Sequence, residues 1–215
     1  MRRDPVRDIA GPAGRLEALL EEPAPTPGRP LKAAVVFAHP HPLHGGTMHT
    51  KAVYRGTKAL AALGCAVLRF NFRGVGRSDG SFDNAVGEVE DFRAGLGFMA
   101  AHYPDAPLWT AGFSFGAFVS LTAGARDDRV SRLIGIAPAL HMYDFSFLKT
   151  CTKPKYFVQG ERDELCPLPQ MQAFFGELLP PKELAVVAGA NHLFNGQVEE
   201  VGAALTRLLG TERLG

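Results

Sequence analysis

The sequence predicts an α/β fold, a mostly parallel sheet of about eight strands with helices on both faces. Three observations predict it. Short apolar runs alternate with longer amphipathic stretches. The runs are near-continuous in apolar character, as strands buried on both faces read. A glycine-framed serine, Gly112-Phe113-Ser114-Phe115-Gly116, sits where one such run gives way to a helical stretch. At 215 residues and 46% hydrophobic content, the chain has the material for one core and reads as a single domain over 1–215.

Arg7–Ala10 and Leu16–Glu22 flank the turn Gly11-Pro12-Ala13-Gly14 and read as a hairpin at one sheet edge. The stretch from Pro23 to Pro30 is a surface loop. Six strand candidates follow: Ala33–Ala38, Cys65–Phe72, Leu108–Phe113, Leu133–Ala137, Tyr156–Gln159 and Leu184–Ala188. The helical stretches between them are Thr50–Leu63, Glu88–His102, Phe115–Gly124 and Pro169–Leu179, and Val198–Leu209 closes the chain. Repeated strand–helix–strand order implies right-handed crossovers and parallel pairing. Ligands in such sheets bind beyond the carboxyl ends of the strands. Functional residues are therefore sought just after a strand.

A formal net charge of +1, with scattered basic residues, argues against nucleic acid or an anionic membrane as partner. Arg2–Arg3 runs straight into Asp4-Pro5, with no apolar region of a secretory signal. No run approaches the ~18 apolar residues of a membrane span. Cys65, Cys151 and Cys166 are odd in number and widely spaced, so they read as free thiols of a reducing cytoplasm.

Ser114 has the context of a nucleophile elbow, a sharp strand-to-helix turn that lifts the hydroxyl above the sheet at a helix N-terminus. The plainer reading is a helix cap in a Gly-rich turn. A serine hydroxyl needs a base, and the base needs a carboxylate to orient it. In chain order after such an elbow the acid comes first. Asp163, in Gly160-Glu161-Arg162-Asp163-Glu164 after a strand, is the chosen acid, with Glu161 and Glu164 as rivals. His192 follows the last strand and is the only histidine after Asp163. For an oxyanion, the donors are the backbone N–H of Phe115 and one from the loop His39-Pro40-His41-Pro42-Leu43-His44-Gly45-Gly46. Its prolines carry no N–H, which leaves His41, preferred, and Leu43.

Two other motifs compete. His39, His41 and His44 have the spacing of a binuclear metal site, but Leu43 stands where a ligating aspartate is needed, and no metal or other cofactor is expected. Arg73-Gly74-Val75-Gly76-Arg77-Ser78-Asp79-Gly80 has glycines one residue off the dinucleotide fingerprint and no helix directly after it.

These motifs resemble the α/β-hydrolase superfamily, and more closely a small group of lidless bacterial α/β hydrolases. The likeness rests on the block from Phe37 to Met48, on Phe70–Ser78, on Gly112–Gly116, and on Asp163 and His192, nearly the whole chain. It implies the α/β-hydrolase fold, a Ser114–Asp163–His192 triad and a soluble cytoplasmic protein; it implies no substrate. The segment Asp83-Asn84-Ala85-Val86-Gly87-Glu88 departs from the group's more glycine-rich version.

The gap from Ala137 to Tyr156 is too short for a lid domain, so an open site lined by Met142, Tyr143, Phe145 and Phe147 is expected, unless these aromatics simply pack on the sheet. The expected activity is hydrolysis of a small-molecule ester or thioester through an acyl-serine. Peptidase action is disfavoured, since no gating domain fits in the chain. The alternatives are a non-catalytic binding protein of the same fold and a metal-dependent hydrolase on the histidine loop. An exposed edge strand or Phe-rich surface leaves room for a homodimer.

Overall fold

The strands β1 (Asp8–Gly11), β2 (Gly14–Glu21), β3 (Ala33–Ala38), β4 (Cys65–Phe70), β5 (Leu108–Phe113), β6 (Val130–Ile136), β7 (Lys155–Gly160) and β8 (Lys182–Val187) form one sheet in this computed structural model. The structure describes residues 6–24 and 30–210. The Arg2–Arg3 pair and the middle of the Pro23–Pro30 loop lie outside the described residues. Strand order is β1-β2-β4-β3-β5-β6-β7-β8. The β1–β2 hairpin pairs antiparallel and joins β4 antiparallel; all other neighbours are parallel.

Helices α1 (Lys51–Ala62) and α5 (Val198–Gly210) cover one face, and α2 (Val86–His102), α3 (Phe115–Ala125) and α4 (Leu168–Glu177) the other. Strand β3 shows why the apolar runs are continuous. Ala33, Val35 and Phe37 pack under α1 and α5, while Ala34, Val36 and Ala38 pack under α2 and α3. Alternate side chains point to opposite faces, so a strand covered on both has no polar position to spare.

The elements differ from expectation at their ends. Strand β4 stops at Phe70 because the next amides turn to other partners: Asn71 N–H donates to Glu17 O, and Phe72 N–H to His39 Nε2 at 3.1 Å. Strand β6 begins three residues early, at Val130, because Ser131 and Arg132 lie where its first turn is incompletely covered. Helix α2 begins at Val86, not Glu88. Asn84 (φ 50°) and Ala85 (φ 72°) hold left-handed backbone, and the buried Glu88 carboxylate reaches back to accept from Asp83 N–H and Ala85 N–H, each at 2.8 Å. The departure from a glycine-rich version thus falls on backbone that glycine adopts without strain. Between β6 and β7 only the short 3₁₀ turn Ser146–Leu148 interrupts the connection, and no lid domain is present there.

Candidate active site

The site forms where the loops after β3, β5, β7 and β8 meet at the carboxyl edge of the sheet. Ser114 links β5 to α3 with φ 57° and ψ −116°, a strained conformation for a residue with a side chain. Two glycines make the turn possible. A Cβ on Gly112 would lie 2.1 Å from Gly116 O, and one on Gly116 would lie 2.4 Å from His39 O. The strand–helix corner and the β3 loop touch backbone to backbone there.

Ser114 Oγ lies 2.9 Å from His192 Nε2, and His192 Nδ1 lies 2.9 Å from Asp163 Oδ2 and 3.1 Å from Oδ1. All three residues are buried: Ser114 is 9% exposed, Asp163 3% and His192 4%. Three residues that stand far apart in the chain are therefore brought into one hydrogen-bonded line. A carboxylate on Nδ1 fixes the tautomer that leaves Nε2 free to accept from the hydroxyl.

Asp163 is held from several sides. Oδ1 accepts from Leu165 N–H at 2.9 Å and Cys166 N–H at 2.8 Å, and Oδ2 accepts from Gln159 Nε2 at 2.9 Å. Burial pushes its pKa up, but His192 and the Cys166 and Leu165 amides outweigh that, and the carboxyl sits below its usual range. The rivals have other work. Glu161 accepts from Gly189 N–H at 2.7 Å and Glu164 from His192 N–H at 3.3 Å, so both tie the acid loop to the histidine loop. Gln159 had no functional reading in the sequence. It ends the apolar run of β7, is fully buried, and also donates to Cys166 O at 2.7 Å. A polar residue closing a buried strand just before an acid loop was the available signal.

On the oxyanion side, neither Phe115 N–H nor His41 N–H finds an acceptor among the described residues. Leu43 N–H is occupied by His41 Nδ1 at 3.2 Å, which favours His41 over Leu43. The His41 and Phe115 rings lie 5.0 Å apart, so both residues belong to the same rim.

His39 is fully buried and committed elsewhere. Its Nδ1–H donates to Pro40 O at 2.7 Å and its Nε2 accepts from Phe72 N–H, and burial pushes its pKa down to about 4. It has no lone pair to offer a metal, and among the described residues no three His, Cys, Asp or Glu side chains group as ligands. The three cysteines are free, and the buried Cys166 thiol is pushed up to about 12 by burial and by Asp163. Of the expected lining residues, Tyr143 lies closest to the elbow, with its ring 5.6 Å from Phe115 and stacked at 4.5 Å on Phe118. Met142 is half-exposed, Phe147 stacks on Phe145, and Phe145 is buried against Phe118 and Phe174 as part of the core.

The two blocks that carried the resemblance brace this edge. Asn71 Oδ1 accepts from Met48 N–H at 2.8 Å, Asn71 Nδ2 donates to Glu17 Oε2 at 2.8 Å, and Arg73 clasps the fully buried Asp91 of α2 through Nε and an Nη at 3.0 and 2.7 Å. The glycine-rich stretch after β4 is a structural brace in this fold.

A lidless α/β sheet with a serine at its elbow and an imidazole and carboxylate behind it defines an α/β serine hydrolase. Residues 30–152 match the family of serine aminopeptidase, S33, and the chain belongs to that family. The match includes Ser114 and ends before Asp163. A structure of an alpha-beta serine hydrolase homologue from Coxiella burnetii is 42% identical, covers 97% of this chain and 98% of its own, and superposes with a TM-score of 0.88. A serine hydrolase without lid from Xanthomonas campestris, XC6422, is 35% identical over 93% of this chain and 90% of its own, with a TM-score of 0.85. Human mitochondrial palmitoyl-protein thioesterase ABHD10 is 36% identical over 91 residues, 39% of this chain and 29% of its own length.

Proposed function

We propose that the protein hydrolyses small carboxylic esters or thioesters through an acyl-enzyme on Ser114. One observation carries the reading: the unbroken line from the Ser114 hydroxyl through His192 to Asp163, at 2.9 Å on each side of the imidazole. In this reading His192 Nε2 takes the hydroxyl proton as Ser114 Oγ bonds to the acyl carbon. The Phe115 and His41 N–H groups donate to the oxyanion, and the imidazolium passes its proton to the departing alcohol or thiol. Water, deprotonated by the same imidazole, then releases the acid. Asp163 stays ionised throughout, as its lowered pKa favours. The thioester option is supported by the partial likeness to a thioesterase. The open edge left by the missing lid suits small substrates that need no enclosing domain.

A fluorophosphonate probe tests the reading directly. It is expected to label Ser114, with turnover of short p-nitrophenyl esters falling by roughly four to six orders of magnitude in Ser114→Ala. An unlabelled serine, or activity retained in that variant, ends the proposal and favours a binding protein of the same fold. No helix among the described residues is long and apolar enough to cross a membrane.

A further inference from the structure

Helix α3 starts at the nucleophile, and one of its faces leads away from it. Phe118, Thr122 and Arg126 stand at successive four-residue steps along α3, so they lie in a row down one side of it. The row begins close to the nucleophile: Phe118 N–H lies 3.4 Å from Ser114 O. Along this row, between α2 and α3, runs a groove of about 390 Å³. Its near end is Tyr143, which bridges Phe115 and Phe118 by ring contacts, and its other wall is Asn84 with Val86 and Val89 of α2, beside the ion-paired Glu90 and Arg93. Val86 is 70% exposed, a large apolar side chain left facing water on the groove's wall. The Thr122 hydroxyl oxygen on the floor is buried with no hydrogen-bond partner. The Arg126 side chain, at the far end, makes no ion pair among the described residues.

We propose that this groove holds the acyl chain of the substrate, extended from Ser114 along α3. The inference rests on the serine-hydrolase reading and gives it a substrate class: straight-chain acyl esters or thioesters of medium length. The physical case is continuity and chemistry. A chain esterified to Ser114 starts one helical turn from Phe118, which lines the groove. The rings of Phe118 and Tyr143 and the methyl groups of Val86 and Val89 face one another across it and reward methylenes, while Glu90 and Arg93 on the α2 wall pair with each other. The guanidinium of Arg126 bounds the apolar stretch. From Ser114 to Thr122 the helix advances about 12 Å, which an extended alkyl chain spans with roughly 8–10 carbons.

The test is an adduct with octyl fluorophosphonate and its crystal structure, paired with turnover of p-nitrophenyl esters from acetyl to palmitoyl. The octyl chain is expected between Val86 and Phe118. The specificity kcat/KM is expected to rise about twofold per methylene and to level off near ten carbons, since an open groove buries each group only in part. Val86→Asp, a change at an exposed helix start, is expected to lower the octanoyl-to-acetyl ratio about tenfold. An adduct at Ser114 whose chain lies elsewhere, or a ratio untouched by Val86→Asp, overturns the groove and leaves the nucleophile standing. Absence of any adduct removes the serine reading and the groove with it.

Discussion

At the scale of single residues, the site depends on a few side chains that never touch substrate. Gln159 is the clearest. Its amide donates both to the Asp163 oxygen nearest His192 and to Cys166 O, so it fixes the rotation of the carboxylate. Its own Oε1 is buried without a partner, so the residue carries a cost that a purely structural role would not maintain. Gln159→Leu removes that orphaned acceptor along with the donor. Activity and stability should therefore separate. We expect kcat/KM for short esters to fall about tenfold with KM nearly unchanged. The urea midpoint should move little, because an unsatisfied buried group is lost at the same time. A parallel fall in both would make Gln159 a packing residue and nothing more.

At the scale of elements, the sheet is held to its loops by polar side chains at strand ends. Arg73 and Asp91 join the loop after β4 to α2 by a two-point ion pair with Asp91 fully buried. Asp91→Ala leaves a guanidinium that is only 12% exposed with the longer Asp83 contact at 3.8 Å in place of its two-point pair, which should cost about 3 kcal/mol, measurable by urea unfolding. These braces mark the limit of what the sequence discloses. The strands of the parallel core are legible because burial on both faces leaves unbroken apolar runs. Ser114, Asp163 and His192 are legible because each follows such a run in a fixed chain order. What escapes is pairing that depends on three-dimensional approach. Nothing in the order of residues places Asp91, in mid-helix, against Arg73, or brings Gln159 to Asp163. The β6 boundary escaped for a simpler reason: its first residues are polar where the sheet is incompletely covered. The start of α2 escaped because a left-handed alanine leaves no mark in an apolar pattern.

At the scale of the molecule, the same buried polar groups set how the fold meets acid. His39 ties the end of β3 to the end of β4 as a neutral imidazole, with its pKa pushed from 6.5 down to about 4 by burial. Unfolded, it takes up a proton near pH 6.5; folded, it resists until about pH 4. The unfolded chain therefore binds more protons across that window, and stability falls as pH drops through it. At about 1.4 kcal/mol per pH unit, His39 alone accounts for a loss on the order of 3 kcal/mol. His41, lowered by burial and by neighbouring His44, adds to the loss in the same direction. Asp163 belongs to a second stage. Its stabilising contribution is present above the ordinary carboxylate range and is lost only as pH falls through its lowered value. Acid should thus weaken the protein in two steps, first through imidazoles between pH 6.5 and 4, then through carboxylates below. Urea unfolding at half-unit pH intervals checks this, and His39→Asn should flatten the first step while leaving the second. A wild-type stability that is level from pH 6.5 to 4.5, or an NMR titration showing His39 protonated near pH 6, would contradict a neutral imidazole joining the two strands.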